Sequence, residues 1–274
     1  MVGFGLPSYG GFTAARVGLQ GAPGMRRIEV SKRNLALRVM ALTLLPVLLL
    51  VTAGVVGQSL LAEPGTYDEV IFEDSEAHAG PGPHPDTESK QFKKVNGGIK
   101  WPDSAVVRYK LDVPLEFEDA VLASVATLDD AIDSVTFVRD DLNADANPCS
   151  GTVNTIDFSS GPVDGDGGVL AAAAACFQTN TKVIAGFRMR FDSGDLWSTV
   201  PSAGTFDVQN VATHEMGHVM GLAHVNAAKD GCLTMYKFSD RGETQKRTLG
   251  WGENRGLDQL YNTGNSDPGP GCGN

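Results

Sequence analysis

The chain has 274 residues, 42% of them hydrophobic, with 33 acidic against 22 basic side chains and a net charge of −11. That is enough chain for one domain with a real core. Six basic residues and one acidic fall within residues 1–62, so the other 16 basic and 32 acidic leave the remainder 16 charges negative, a poor partner for nucleic acid or an anionic membrane surface.

In chain order, residues 1–38 form a basic region that is Gly-rich over its first 24 residues, with Met25 as an alternative start. The run from Val39 to Val56 is uncharged and almost wholly apolar. Positive charge followed by an apolar run predicts an export signal, and about 18 such residues are also just enough to span a bilayer. A signal peptide over 39–62 and a retained membrane anchor both remain open. Either way the part beyond it is exported: secreted, or anchored with the folded domain outside. Residues 63–96 are rich in Pro, Gly, His and charge and poor in large apolar side chains. They predict a linker or short propeptide without a core. The folded domain is then 97–274.

Within that domain, 105–111 alternates as a strand does. Ala120, Leu122, Val125, Leu128, Ile132 and Val135 give 115–135 a helical rhythm. Strands are expected at 136–139, 153–158, 169–177 and 183–192. The run Ala171–Ala175 is expected as an edge strand or loop. Val208, Val211, Ala212, Met216, Val219 and Met220 predict a largely buried helix, with Asp207 as its N-cap. Leu257, Leu260 and Tyr261 suggest a short final helix. Strand, helix, strands, helix, helix is an α+β order.

The buried helix carries the chemistry. Residues 214–224 read His-Glu-Met-Gly-His-Val-Met-Gly-Leu-Ala-His, and they hold three of the chain's five histidines. His214 and His218, four apart, share one helix face. Gly221 can take a left-handed conformation and stop the helix, so that the chain turns back and delivers His224 to the same point. Three neutral imidazoles suit a catalytic zinc, which keeps one coordination position open. Glu215 points roughly 100° away from His214 around the helix, toward a reacting water rather than the metal, as a general base must.

The motif H-E-x-x-H-x-x-G-x-x-H resembles that of the metzincins, and within them the matrixins. Thr234-Met235-Tyr236 resembles their Met-turn. The segments Pro162-Val163-Asp164-Gly165-Asp166-Gly167-Gly168-Val169-Leu170-Ala171 and Phe191-Asp192-Ser193-Gly194-Asp195-Leu196-Trp197 resemble two matrixin loops. The resemblance covers roughly residues 97–262. It implies a metzincin-like fold: a twisted sheet with helices, an active-site helix, and a small irregular part after Gly221. It also implies a zinc endopeptidase acting on protein or peptide, with Glu215 as catalytic base and His214, His218 and His224 as ligands. Asp164, Asp192 and Asp195 would hold a structural Ca²⁺, unless the loops are polar turns without an ion.

Two departures from the family pattern stand out. The positions matching its structural-zinc ligands are Asp157, Ser159, Ala172 and Arg190, so one zinc per chain is expected. All four cysteines follow residue 148, so no upstream thiol can enforce latency. In an exported chain Cys149, Cys176, Cys232 and Cys272 suggest disulfides. Of the three pairings, Cys149–Cys176 with Cys232–Cys272 is preferred. The expected substrates are extracellular or cell-envelope proteins, and the expected state is a monomer. The alternatives are a non-catalytic, metal-stabilised binding domain tethered to the membrane, and zinc hydrolysis of a non-peptide amide.

Overall fold

The computed structural model describes residues 66–76, 89–159, 163 and 168–265. The expectations for 1–38, 39–62, Asp164 and Cys272 fall outside the described residues. Among the described residues, no helix is long and apolar enough to cross a membrane.

Seven strands form the main sheet: β1 (Tyr67–Glu76), β2 (Ala105–Asp112), β3 (Val135–Arg139), β4 (Thr155–Ser159), β5 (Val169–Gln178), β6 (Ile184–Asp192) and β7 (Phe238–Ser239). Their spatial order is β7-β1-β5-β6-β4-β2-β3. β5 runs antiparallel to both its neighbours, and the remaining pairs are parallel. Three helices complete the fold: α1 (Glu118–Asp130), α2 (Val208–Val219) and α3 (Trp251–Tyr261). This is the α+β arrangement that the element order predicts.

Local sequence explains most of these elements. On β2, Val107, Tyr109 and Leu111 are buried while the residues between them face outward. On α1, Ala120, Val121, Ser124, Val125 and Leu128 form the buried stripe. The helix is shorter than 115–135. Leu115–Phe117 is a 3-10 turn, and Val135 pairs with Ala105 in the sheet instead. The strand expected at 153–158 begins later, because the buried side chain of Asn154 interrupts it. Its Oδ1 accepts from the Phe187 amide at 2.8 Å, and its Nδ2 donates to the Arg108 carbonyl at 3.2 Å. Two aromatic groups fill the core: Trp101, Tyr109, Phe137 and Phe187, and then Phe158, Phe191, Trp197 and Phe206.

Two findings differ from the sequence reading. Within the stretch expected as a linker without a core, Tyr67–Glu76 is a ten-residue strand. Consequently β5, with its alanine run, is not an edge. β1 covers one side of it from Tyr67↔Gln178 to Ser75↔Val169, and β6 covers the other. Burial on both faces accounts for its near-continuous small and apolar residues. A disulfide joins Cys149 to Cys176, with Cα atoms 5.7 Å apart, and ties the loop before β4 to β5.

Candidate metal centre

The centre is built on α2, and both ends of that helix are held. At its start, the Asp207 side chain accepts from the Asn210 amide at 2.9 Å, as an N-cap should. Arg247 grips the same carboxylate, its Nε at 2.8 Å from Oδ1. At its end, the Trp101 indole donates to the Val219 carbonyl and the Tyr261 hydroxyl to the Met220 carbonyl, both at 3.0 Å. These bonds satisfy acceptors that a helix terminus otherwise leaves open. Gly221 then takes φ +90°, and a Cβ there would stand 2.2 Å from the Ile99 carbonyl oxygen. Glycine is required both by the backbone angle and by the close approach. Residues Leu222–Ala223 pair with Lys93–Lys94 and carry His224 back beneath the helix.

The three Nε2 atoms converge. His214 lies 3.1 Å from His224, His218 lies 3.2 Å from His214, and His218 lies 3.0 Å from His224. The outer nitrogens are already committed. His214 Nδ1 donates to the Thr234 carbonyl at 2.6 Å, and His218 Nδ1 donates to the Leu222 carbonyl at 2.8 Å. A carbonyl can only accept, so the proton of each ring sits on Nδ1 and the inner lone pair is available. Burial drives His214 and His218 well below the ordinary imidazole range. Burial, then Lys246, pushes His224 down to about 4. All three rings are therefore neutral donors near pH 7. This set fits zinc: tetrahedral Zn–N bonds of ~2.0–2.1 Å put the nitrogens ~3.3 Å apart.

Glu215 is fully buried beside the first histidine. Burial, and next the charge of Asp74, raises its carboxyl well above the usual range. The amides of Ala173 and Asp74 temper that rise, yet neither carboxylate oxygen has a hydrogen bond of good geometry. A buried carboxylate this poorly hydrogen-bonded costs stability.

Met235 lies under α2. A Cβ on Gly217 would stand 2.2 Å from the Met235 sulfur, so glycine at that point of the motif is what admits the methionine. Glu253 fixes the loop: one carboxylate oxygen accepts from the Met235 amide at 3.0 Å, the other from the Gly250 amide at 3.1 Å. Sequence reading missed Glu253, although its place on the first turn of α3 after Gly250 is a capping position. It also missed Lys246, Phe72 and Asp74, which only the tertiary fold brings here. Phe72 stacks on the His218 ring, with centroids 4.2 Å apart and planes 8° apart.

Of the expected calcium ligands, Asp192 and Asp195 are among the described residues. Asp192 is buried and spends its carboxylate on backbone, accepting from Gly194 at 2.7 Å and Val163 at 3.0 Å. Asp164 lies outside the described residues. Where the family holds its structural zinc, Arg190 meets Asp157 at 2.9 Å.

A mixed sheet over a helix that presents three converging imidazoles, with a methionine loop beneath, defines a metzincin-like metallohydrolase. The matrixin family model matches residues 112–262, and the chain belongs to that family of zinc metalloendopeptidases. It is 35% identical over 100 residues to stromelysin-3 of Mus musculus, covering 36% of this chain and 18% of that protein. Metalloendoproteinase 1 of Glycine max is 32% identical over 106 residues, covering 36% of this chain and 31% of that protein. Stromelysin-2 of Rattus norvegicus is 30% identical over 156 residues, covering 54% of this chain and 30% of that protein. The chain thus spans less than a third of the length of these relatives.

Proposed function

We propose that this chain is an exported, zinc-dependent endopeptidase that cleaves extracellular or cell-envelope proteins. The observation that carries the proposal is the pairing of three converging imidazole Nε2 atoms with a buried carboxylate that has no hydrogen bond of good geometry. His214, His218 and His224 would hold the ion. When bound, zinc supplies Lewis-acid chemistry, polarising a carbonyl and acidifying water.

The remaining work belongs to the chain. Glu215 accepts a proton from the attacking water and returns it to the amine that leaves, so the peptide bond is hydrolysed without a covalent intermediate. Its raised proton affinity suits a group that must carry the proton between those two events. The carbonyls of Thr234 and Leu222 keep two rings in one tautomer and orientation. One zinc per chain is expected, and metal analysis finding two tightly held ions would contradict it. Export is supported by the apolar run after a basic flank. A structural Ca²⁺ at Asp164, Asp192 and Asp195 is the corresponding proposal for the loops. Calcium raising the melting temperature of the chain, and Asp195→Ala abolishing that rise, is its test.

The deciding experiment is a casein or peptide-library digest by the full chain, with and without a zinc chelator. Chelator-sensitive cleavage that Glu215→Ala removes, while zinc content stays near one per chain, is the expected result. Cleavage by Glu215→Ala at the parent rate would refute the proposal.

A further inference from the structure

β1 bridges the two sides of the centre. It pairs antiparallel with β5 along nearly its whole length, and parallel with β7 at Ser75↔Phe238 and Glu76↔Ser239. An extended segment thus crosses in front of the histidines with backbone ladders on both flanks, which is how a sheet edge takes an added peptide strand. Strand alternation turns Val70, Phe72 and Asp74 inward, while Ile71 is 57% exposed. Phe72 covers His218, and the Asp74 carboxylate lies within 4.8 Å of donor atoms of His214 and Glu215.

The floor beneath Asp74 is a lysine. Lys246 is wholly buried and donates to the carbonyls of Tyr236 and Phe238 and to the Ser239 hydroxyl, each at 2.8 Å. An ammonium has three N–H donors, so those bonds saturate it with neutral acceptors. Its charge still needs an anion. Asp74 supplies one: Oδ1 is 3.9 Å from Nζ, and Oδ2 accepts from the Ser239 hydroxyl at 2.8 Å. Ser239 therefore accepts from the lysine and donates to the aspartate. An apolar side chain in place of Asp74 would fill the same space but leave a buried charge uncompensated.

We propose that Lys246 and Ser239 form a carboxylate-selective subsite of the substrate groove, with β1 as its occupant in cis and Asp74 seated in it. The proposal rests on the endopeptidase reading and adds its specificity: substrates carry an acidic residue beside the scissile bond. A peptide reaches the centre only by displacing β1.

The test uses the full chain carrying Glu215→Ala, so that nothing is cut, with and without Asp74→Ala. Two fluorescent peptides are compared by anisotropy: Val-Ile-Phe-Glu-Asp-Ser-Glu, the sequence of residues 70–76, and the same peptide with Leu for Asp. The Asp peptide should bind the Asp74→Ala protein at least tenfold tighter than the Leu peptide does. It should also bind that protein at least tenfold tighter than the one retaining Asp74. Lys246→Met should erase the preference, which separates the subsite from direct capture of the carboxylate by metal. Should that variant fail to fold, Ser239→Ala should weaken the preference instead. Equal or tighter binding of the Leu peptide, binding of neither peptide, or a preference that survives in folded Lys246→Met overturns the proposal. Failure of the endopeptidase reading would show separately, as no chelator-sensitive cleavage by the Asp74→Ala protein with Glu215 intact.

Discussion

The two ends of α2 carry similar densities of buried polar groups and put them to opposite use. At the first turn every group is answered. Asp207 receives the Asn210 amide and the Arg247 guanidinium, Asn210 receives the Lys246 amide at 2.8 Å, and Arg247 also reaches the Thr199 carbonyl at 2.9 Å. At the last turns the histidines turn their Nε2 atoms toward one another, and the Glu215 oxygens have no hydrogen bond of good geometry. Closed networks of the first kind add rigidity. Open ones of the second kind cost stability. Burial alone does not tell structure from function; the balance of donors and acceptors does.

The largest effect that would sharpen this contrast is at Glu215. Glu215→Gln should lower peptide hydrolysis by about a thousandfold, within the usual range for losing a general base. Zinc content should be unchanged. A variant that lost its zinc as well would place Glu215 on the structural side.

Next is the acid sensitivity of the metal-free protein. The three histidines are depressed by burial in the folded state, so they contribute stability that is complete above pH ~6.5 and lost as pH falls toward their folded values. Glu215, raised in the folded state, acts in the opposite sense. The measurement is therefore the urea midpoint of chelator-treated Glu215→Gln between pH 7.5 and pH 4.5. A falling midpoint is expected, and one that rises in acid would break the reading.

At the other end, Asp207→Ala removes the cap and strands Arg247, which is only partly exposed. About 2–4 kcal/mol of stability should be lost, or roughly 5–10 °C in Tm. The kcat of the remaining folded protein should stay the same. A matching fall in kcat would show that the two ends are coupled. Smallest is Gly217→Ala, which forces Met235 from beneath the helix and should cost about 1–3 kcal/mol in denaturant titration. No measurable loss would mean that the methionine loop gives way freely.

Much of the candidate site was legible because it is local. The spacing of His214 and His218, the stop at Gly221 and the cap at Asp207 all fall within the single stretch 207–221. The Cys149–Cys176 bridge belongs to the pairing preferred from the sequence, and the structure forms it. β1 was not legible. Its sequence, Tyr-Asp-Glu-Val-Ile-Phe-Glu-Asp-Ser-Glu, sits in a stretch whose average composition argues against a core. Val70 and Phe72 are inward positions only because β5 provides a surface to face. The length of α1 was overread for a related reason, since Val135 belongs to a ladder that the helical rhythm does not reveal.

By itself the sequence determined which histidines converge, the glutamate beside them and the turn that closes the triangle, since a helix repeats every 3.6 residues whatever surrounds it. Only the tertiary structure decided what faces that triangle. Lys246 and Asp74 are 172 positions apart along the chain, and no periodicity links them. Their encounter follows from β1 choosing the edge of β5 and from the loop after Met235 folding beneath it.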